Sequence, residues 1–301
     1  GHQERLFSEF YDSKWWCRAQ QNILSENKVL AIILFFDATT LDRLGKSSWH
    51  PIFISLGNIP TNLRNKTEAK ALVGIMLTLQ GTKEEQKTPE FRQLVRSVFH
   101  KCINVLIEPL RLQYHSGIML KVNNYNLKCS IMLACVIGNW PENCKSCLTY
   151  SGASCARPCH TYLVGKDELN AINLPNNHMI VRTENRMRQI VAMKQGKDYS
   201  LYEETNNNYL GTPYVTQSSE STVPERMHHL DLGLFSHMVK YTQDLLKAHS
   251  RTILVNKMDQ RLGLIPRYPG LKIFNTGLAD LALFTASKYK HMMKVMPFVL
   301  E

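Results

Sequence analysis

Eight consecutive apolar residues, Val29-Leu30-Ala31-Ile32-Ile33-Leu34-Phe35-Phe36, run straight into an acid, Asp37. A run this short, β-branched and aromatic, predicts a central β-strand buried on both faces, which needs a covering layer on each side and so points to an α/β chain. It also falls far short of the ~20 apolar residues that cross a bilayer, so no membrane span is expected. Hydrophobic residues at 44% and charged residues at 20% suit a globular core and exclude a disordered or collagen-like chain. Lys and Arg number 36 against 25 Asp and Glu, a formal +11. That excess suits a polyanionic partner such as nucleic acid, and it is equally compatible with a plain basic surface. The chain opens on Gly1 without a leader pattern and is expected to be a trimmed fragment.

Beyond the first strand, a second is expected at Ile52 to Leu56, bounded by Pro51 and the Gly57-Asn58 turn. Ala71 to Leu79 fits a strand or a short helix. Thr88-Pro89-Glu90 supplies a cap, a first-turn proline and a first-turn acid, and Phe91, Leu94, Val95, Val98, Phe99, Cys102, Ile103 and Leu106 follow at helical spacing. After the Asn123 to Asn126 turn, the apolar run Ile131 to Ile137 is ended by Gly138-Asn139-Trp140-Pro141, where proline is expected to stop regular structure. Asn206 to Asn208 and Thr216 to Thr222 read as loops. A helix is expected beyond Pro224-Glu225 with Leu234, Phe235, Met238, Val239, Thr242, Leu245 and Leu246 on one face. A last helix starts near Thr285 and carries Tyr289, Met292, Met293 and Met296, with Pro297 bending or ending it. The expected parts are a lead-in over 1–27, a core over 28–143, a Cys/His-containing polar and basic insertion over 144–224, and a helical region over 225–301.

Two strand ends carry oxygen-bearing side chains, Asp37 and Asn139. Ligands and metals gather at strand ends in open α/β sheets, although Asp is also an ordinary turn former. Two such ends on adjacent strands, with a later acid, make the layout of a two-metal phosphoryl-transfer site holding hard cations such as Mg²⁺. Downstream, Cys144-Lys145-Ser146-Cys147 has the C-x-x-C spacing, and Cys155, Cys159 and His160 complete a candidate tetrahedral Zn²⁺ set; unligated thiols in a loop are the alternative. Cys17, Cys102, Cys129 and Cys135 sit among apolar neighbours as core residues. Arg182, Arg186, Arg188, Lys194, Lys197 and Arg226 can neutralise phosphates, or simply form a solvated face. Trp49, Trp140 and Tyr209 can stack on an unpaired base or fill small clusters of core.

The Phe36-Asp37-Ala38-Thr39 strand end, the Gly138-Asn139-Trp140-Pro141-Glu142 turn, the block from Thr222 through His228-His229-Leu230-Asp231-Leu232-Gly233-Leu234-Phe235 and the tail from Phe284 to Val299 together resemble CACTA-like fungal transposases of the Plavaka type. The resemblance runs from about residue 28 to the end. It implies a ribonuclease H-like mixed sheet with flanking helices and a DDE/D site in which Mg²⁺ (or Mn²⁺) cuts and joins DNA. It further implies transposon ends and target DNA as partners and a nuclear location, and it allows a homo-oligomer. On that resemblance Asp37 is the first acid and Asp231 the third, with two alternatives: Asp231 as a helix-start acid, or a last acid in the final helix, where Lys288 stands. The second position, Asp in the family pattern, is Asn139 here. A neutral ligand lowers the charge facing each dication, costing on the order of 4 kcal/mol per ion at an effective dielectric near 20, so activity is expected to be impaired. Glu142 is a candidate substitute that the Pro141 turn is expected to point elsewhere. The resembling sequences also carry a Pro-Cys-His-x-Cys element that Cys159 and His160 match, while Tyr162 stands at its second cysteine; Cys144, Cys147, Cys155 and Cys159 would be a replacement set. The competing expectation is a catalytically inactive DNA-binding or protein-interaction module.

Overall fold

The computed structural model describes residues 7–40, 48–152, 154–203, 222–250, 252–272, 274, 277–278 and 281–300. The chain divides into two units, Gly1–Val223 and Pro224–Glu301. The first is mixed α/β. Its elements are α1 (Lys14–Gln21), β1 (Lys28–Phe36), β2 (Thr39–Thr40), β3 (Ser48–Leu56), α2 (Thr61–Arg64), β4 (Lys70–Met76), α3 (Pro89–Ser116), β5 (Ile118–Val122), β6 (Tyr125–Gly138), α4 (Trp140–Ser146) and α5 (Glu184–Ala192), with β7 (Thr222–Pro224) added to β6.

The sheet runs β2-β3-β1-β6-β5, with β4 on β3. β1 pairs antiparallel with β3 and parallel with β6, and the crossover between them carries α3. Strand alternation accounts for the two covered faces of β1. Ile32, Leu34 and Phe36 join Phe99, Ile103 and Ile107 of α3 in one core, while Val29 and Ala31 join Ala19 of α1 and Met132 and Ala134 of β6 in another. Lead-in residues Phe10, Trp15 and Trp16 pack against that second core.

Several boundaries differ from the sequence expectation, each for a local reason. β3 runs through Pro51, which pairs with Ile75 of β4; the β1 ladder begins only at Ile52, so the missing N–H breaks no bond on that side. Ala71 to Leu79 is resolved as strand β4 over Lys70–Met76. β5, which carries no strong sequence signal, forms a hairpin with β6 around Asn123, whose φ of 54° is the left-handed conformation that Asn tolerates. Pro141 does not stop structure: it lies in the first turn of α4, where its absent N–H has no intrahelical role. α3 extends to Ser116 with Pro109 inside it.

The second unit holds a π-helical segment, Met227–Leu234, followed by α6 (Phe235–Ser250), α7 (Ile253–Leu264) and α8 (Ala286–Leu300). Its core joins Phe235 and Val239 to Met258, Leu262, Tyr289, Met292 and Met296. Pro297 lies within α8 and does not end it. The Asn206 to Asn208 loop, Tyr209 and Thr216 to Ser221 lie outside the described residues.

Candidate active site

The parallel register of β1 and β6 brings two strand ends level. Ile32 faces Leu133 and Ile33 faces Cys135, so Ala134 is one extra residue in β6. From there the offset holds through Phe35 and Ile137, and one step beyond the strands it sets Asp37 opposite Asn139. Without the Ala134 bulge, Asp37 would stand opposite Gly138.

Asn139 is the N-cap of α4, with extended backbone at φ −68° and ψ 171°. Its Oδ1 accepts the Glu142 N–H at 3.0 Å, and its Nδ2 donates to Asp37 Oδ1 at 2.9 Å. The first bond fixes the second, because an amide whose oxygen caps the helix must turn its NH₂ toward the carboxylate. Where the sequence expectation has Asn139 offer an oxygen to a metal, in this structure that oxygen is engaged at the helix start and a donor faces Asp37. As they stand, these two residues do not fit a divalent cation, which needs acceptors on both strand ends. Glu142 is buried, and its Oε1 accepts from Lys145 Nζ at 3.3 Å within its own helix. Asn143, also buried, donates Nδ2 to Gly138 O at 3.1 Å and ties the helix back to the end of β6. Sequence reasoning missed that tie; its signal was an amide in the first turn after a strand-ending glycine.

Asp231 belongs to the second unit. It is 4% exposed, lies within the π-helical segment, and accepts from Arg226 Nη2 at 3.4 Å. Gly233 is required there, because a Cβ on it would meet the His228 carbonyl oxygen at 2.6 Å. Long π segments are rare and recur at functional sites.

The family model for Plavaka transposases matches residues 1–242. The chain belongs to the Plavaka transposase family. Membership supports a transposase role. No curated protein matches the chain.

In this Plavaka chain the basic candidates divide by environment. Arg188, Lys194 and Lys197 are exposed on and just after α5, Arg188 pairing with Glu184 at 2.8 Å. Arg186 is half-buried and donates to the Val181 carbonyl. Arg226 pairs with Asp231. Arg182 is 1% exposed, and its guanidinium donates to the carbonyls of Cys159 and Arg157, both at 2.9 Å. That burial takes Arg182 off any surface path for phosphates. Trp49 and Trp140 are 53% and 40% exposed, so neither fills core.

Cys144 and Cys147 are fully buried, and burial pushes their thiols up to about 11 and about 12. Cys147 Sγ lies 3.7 Å from Thr222 Oγ1. Cys155 and Cys159 are half-buried, and His160 is held down to about 4 by burial and the adjacent Arg182 charge. Among the described residues, no three or more His, Cys, Asp or Glu side chains gather in a metal-binding arrangement, and no helix is long and apolar enough to cross a membrane.

Proposed function

We propose that this chain is the ribonuclease H-like catalytic region of a Plavaka DNA transposase that still holds DNA and whose metal-dependent phosphodiester chemistry has been disarmed at Asn139. The strand order supports the fold assignment: three strands that neighbour one another antiparallel, β1, β3 and β4, are followed by α3 and then, after the short β5, by β6 returning parallel beside β1. The hydrogen bond from Asn139 Nδ2 to Asp37 Oδ1 carries the functional part. In an intact site two carboxylates at this separation would repel and would hold a cation between them; here an amide satisfies Asp37 directly. Asp37 and Asp231 are the remaining acids of the ancestral set. Arg186, Arg188, Lys194, Lys197 and Arg226 supply charge for a DNA backbone; the exposed Trp140 directly follows Asn139, and the exposed Trp49 lies in β3 opposite Thr39.

The test compares the chain with Asn139→Asp in Mg²⁺ or Mn²⁺. The parent is expected to retain duplex DNA in a salt-dependent way without nicking it, and Asn139→Asp to show a Mg²⁺-dependent rise in Tm that Asp37→Ala abolishes. Asp37-dependent nicking by the parent would overturn the disarmed site. Failure to retain DNA even at low salt would overturn the DNA-holding role.

A further inference from the structure

The first unit has a recess at the sheet end where Asp37 lies. β1 and β2 pair with β3 in one continuous register, Phe36 opposite Ile52 and Thr39 opposite Trp49, which sets Pro51 opposite Asp37 and His50 one place beyond. His50 forms part of the wall of a cavity of about 130 Å³ between the end of β4, the first half of α3 and the end of α4. Met76, Leu79, Val95 and Phe99 give it apolar surface, and Phe99 packs edge-on to Phe36, the residue before Asp37, with ring centres 5.8 Å apart. Two cations also line it, Arg96 of α3 and Lys145 of α4. The Arg96 guanidinium lies over the Tyr202 ring, 3.8 Å from its centre, a contact that orients it. Lys145 Nζ spends one of its three donors on Glu142. A shallower groove continues from the cavity, sharing Thr78, Leu79 and Val95 with it, and reaches Phe91 and Arg92, one helical turn before Arg96.

Size and charge together limit what such a recess takes. An apolar cavity of about 150 Å³ holds one benzene ring, so this one admits a single six-membered ring fully and a fused purine only in part. The cations beside it suit an anion attached to that ring, and the groove suits a chain that runs on past it. For a transposase, these are the parts of a pyrimidine nucleotide within a strand. An unpaired base is the fitting occupant, because a paired one must first be pulled from its stack at a cost. We propose that this cavity receives one pyrimidine nucleotide, presented as an unpaired base of a DNA strand beside the Asp37 strand end. The base enters between Leu79, Val95 and Phe99, Arg96 and Lys145 face its phosphate, and Arg92 faces the next one along the groove. This inference rests on the DNA-holding role and adds to it the form of DNA that is held.

The experiment measures the affinity of the whole chain, by fluorescence anisotropy at low salt, for one duplex ending in a single unpaired thymine, adenine or abasic nucleotide. Tm is followed separately with free thymidine monophosphate. The thymine end is expected to bind about tenfold more tightly than the abasic end, the size of one base contact, with adenine between them. Val95→Phe, which puts a ring into the cavity, should bring the thymine and abasic affinities together. A 4-thiothymine at the unpaired position should crosslink to the first half of α3 or to residues 77–79, a readout that needs no variant to fold. Equal affinity for thymine and abasic ends overturns the proposal, as do crosslinks confined to other segments or a folded Val95→Phe that keeps the full preference. If no duplex binds even at low salt, the DNA-holding role falls by itself. A rise in Tm with thymidine monophosphate that Val95→Phe lacks then supports the cavity as a site for the free nucleotide, and no rise overturns the cavity as well.

Discussion

Asn139 does two jobs with one planar group, capping α4 through its oxygen and satisfying Asp37 through its nitrogen. Replacing it by Asp keeps the cap, since Asp and Asn are equally good at that position, but sets two carboxylates within hydrogen-bonding range of each other. Without divalent ion at neutral pH, Asn139→Asp is expected to lose about 2 kcal/mol, the worth of a hydrogen bond to a charged group, with urea unfolding as the measure. Adding Mg²⁺ or lowering the pH enough to protonate one carboxylate should recover the loss. Both strand ends were legible in the sequence because an apolar run stopping at a polar residue marks where a strand leaves the core. The direction of the amide was not, because it depends on a helix starting at Trp140, next to a proline that reads as a stop. Arg182 was misplaced for a related reason: one arginine among several polar residues looks the same in sequence whether it faces water or buried backbone carbonyls.

Elements translate these residue choices into position. The single extra residue at Ala134 sets which residue of β6 ends level with Asp37, and no hydrophobic pattern announces it, since Leu133, Ala134 and Cys135 are all apolar and all buried. The π segment shifts the face of the helix that follows. Phe235 and Val239 are buried as the spacing predicts, yet Leu234, Met238 and Leu245 of the same expected stripe are 55%, 52% and 45% exposed. Gly233→Ala should force the His228 carbonyl aside and cost about 1–3 kcal/mol, read as a lower Tm. On α5 and the turn after it, charge reversal at Lys194 or Lys197 leaves no buried partner behind. For each phosphate that is no longer neutralised, the slope of log affinity against log salt should flatten by about 0.9, measured by DNA retention at a series of salt concentrations. Unchanged slopes in both variants would remove this element from the DNA path.

For the whole molecule, acid is the expected weakness. His100, whose Nε2 lies 3.0 Å from Lys145 O, and His160 are both buried and held down to about 4, against 6.5 for an ordinary histidine. Between those values the unfolded chain takes up protons that the folded chain refuses, so stability is unaffected above about pH 6.5 and falls as the pH drops toward 4. The full effect is about 3 kcal/mol per histidine. Urea midpoints at pH 7.5 and pH 5 should therefore differ, and His100→Gln should reduce the difference. No pattern in the sequence announces this weakness, since burial of a histidine on an otherwise amphipathic helix depends on what packs over it. The +11 charge was legible, whereas its division was not: part is surface charge and part, at Arg182, is locked inside.

The cap at Asn139 has a genealogical consequence. Because Asp and Asn start α4 equally well, an exchange between them leaves the helix start in place, and wherever Mg²⁺ offsets the repulsion between the two carboxylates folding provides little selection in either direction. Only selection on cutting DNA would detect it. A lineage relieved of that selection can accumulate the amide without losing its architecture, and the codons for the two residues differ by a single base, so the same neutrality leaves the reverse step open.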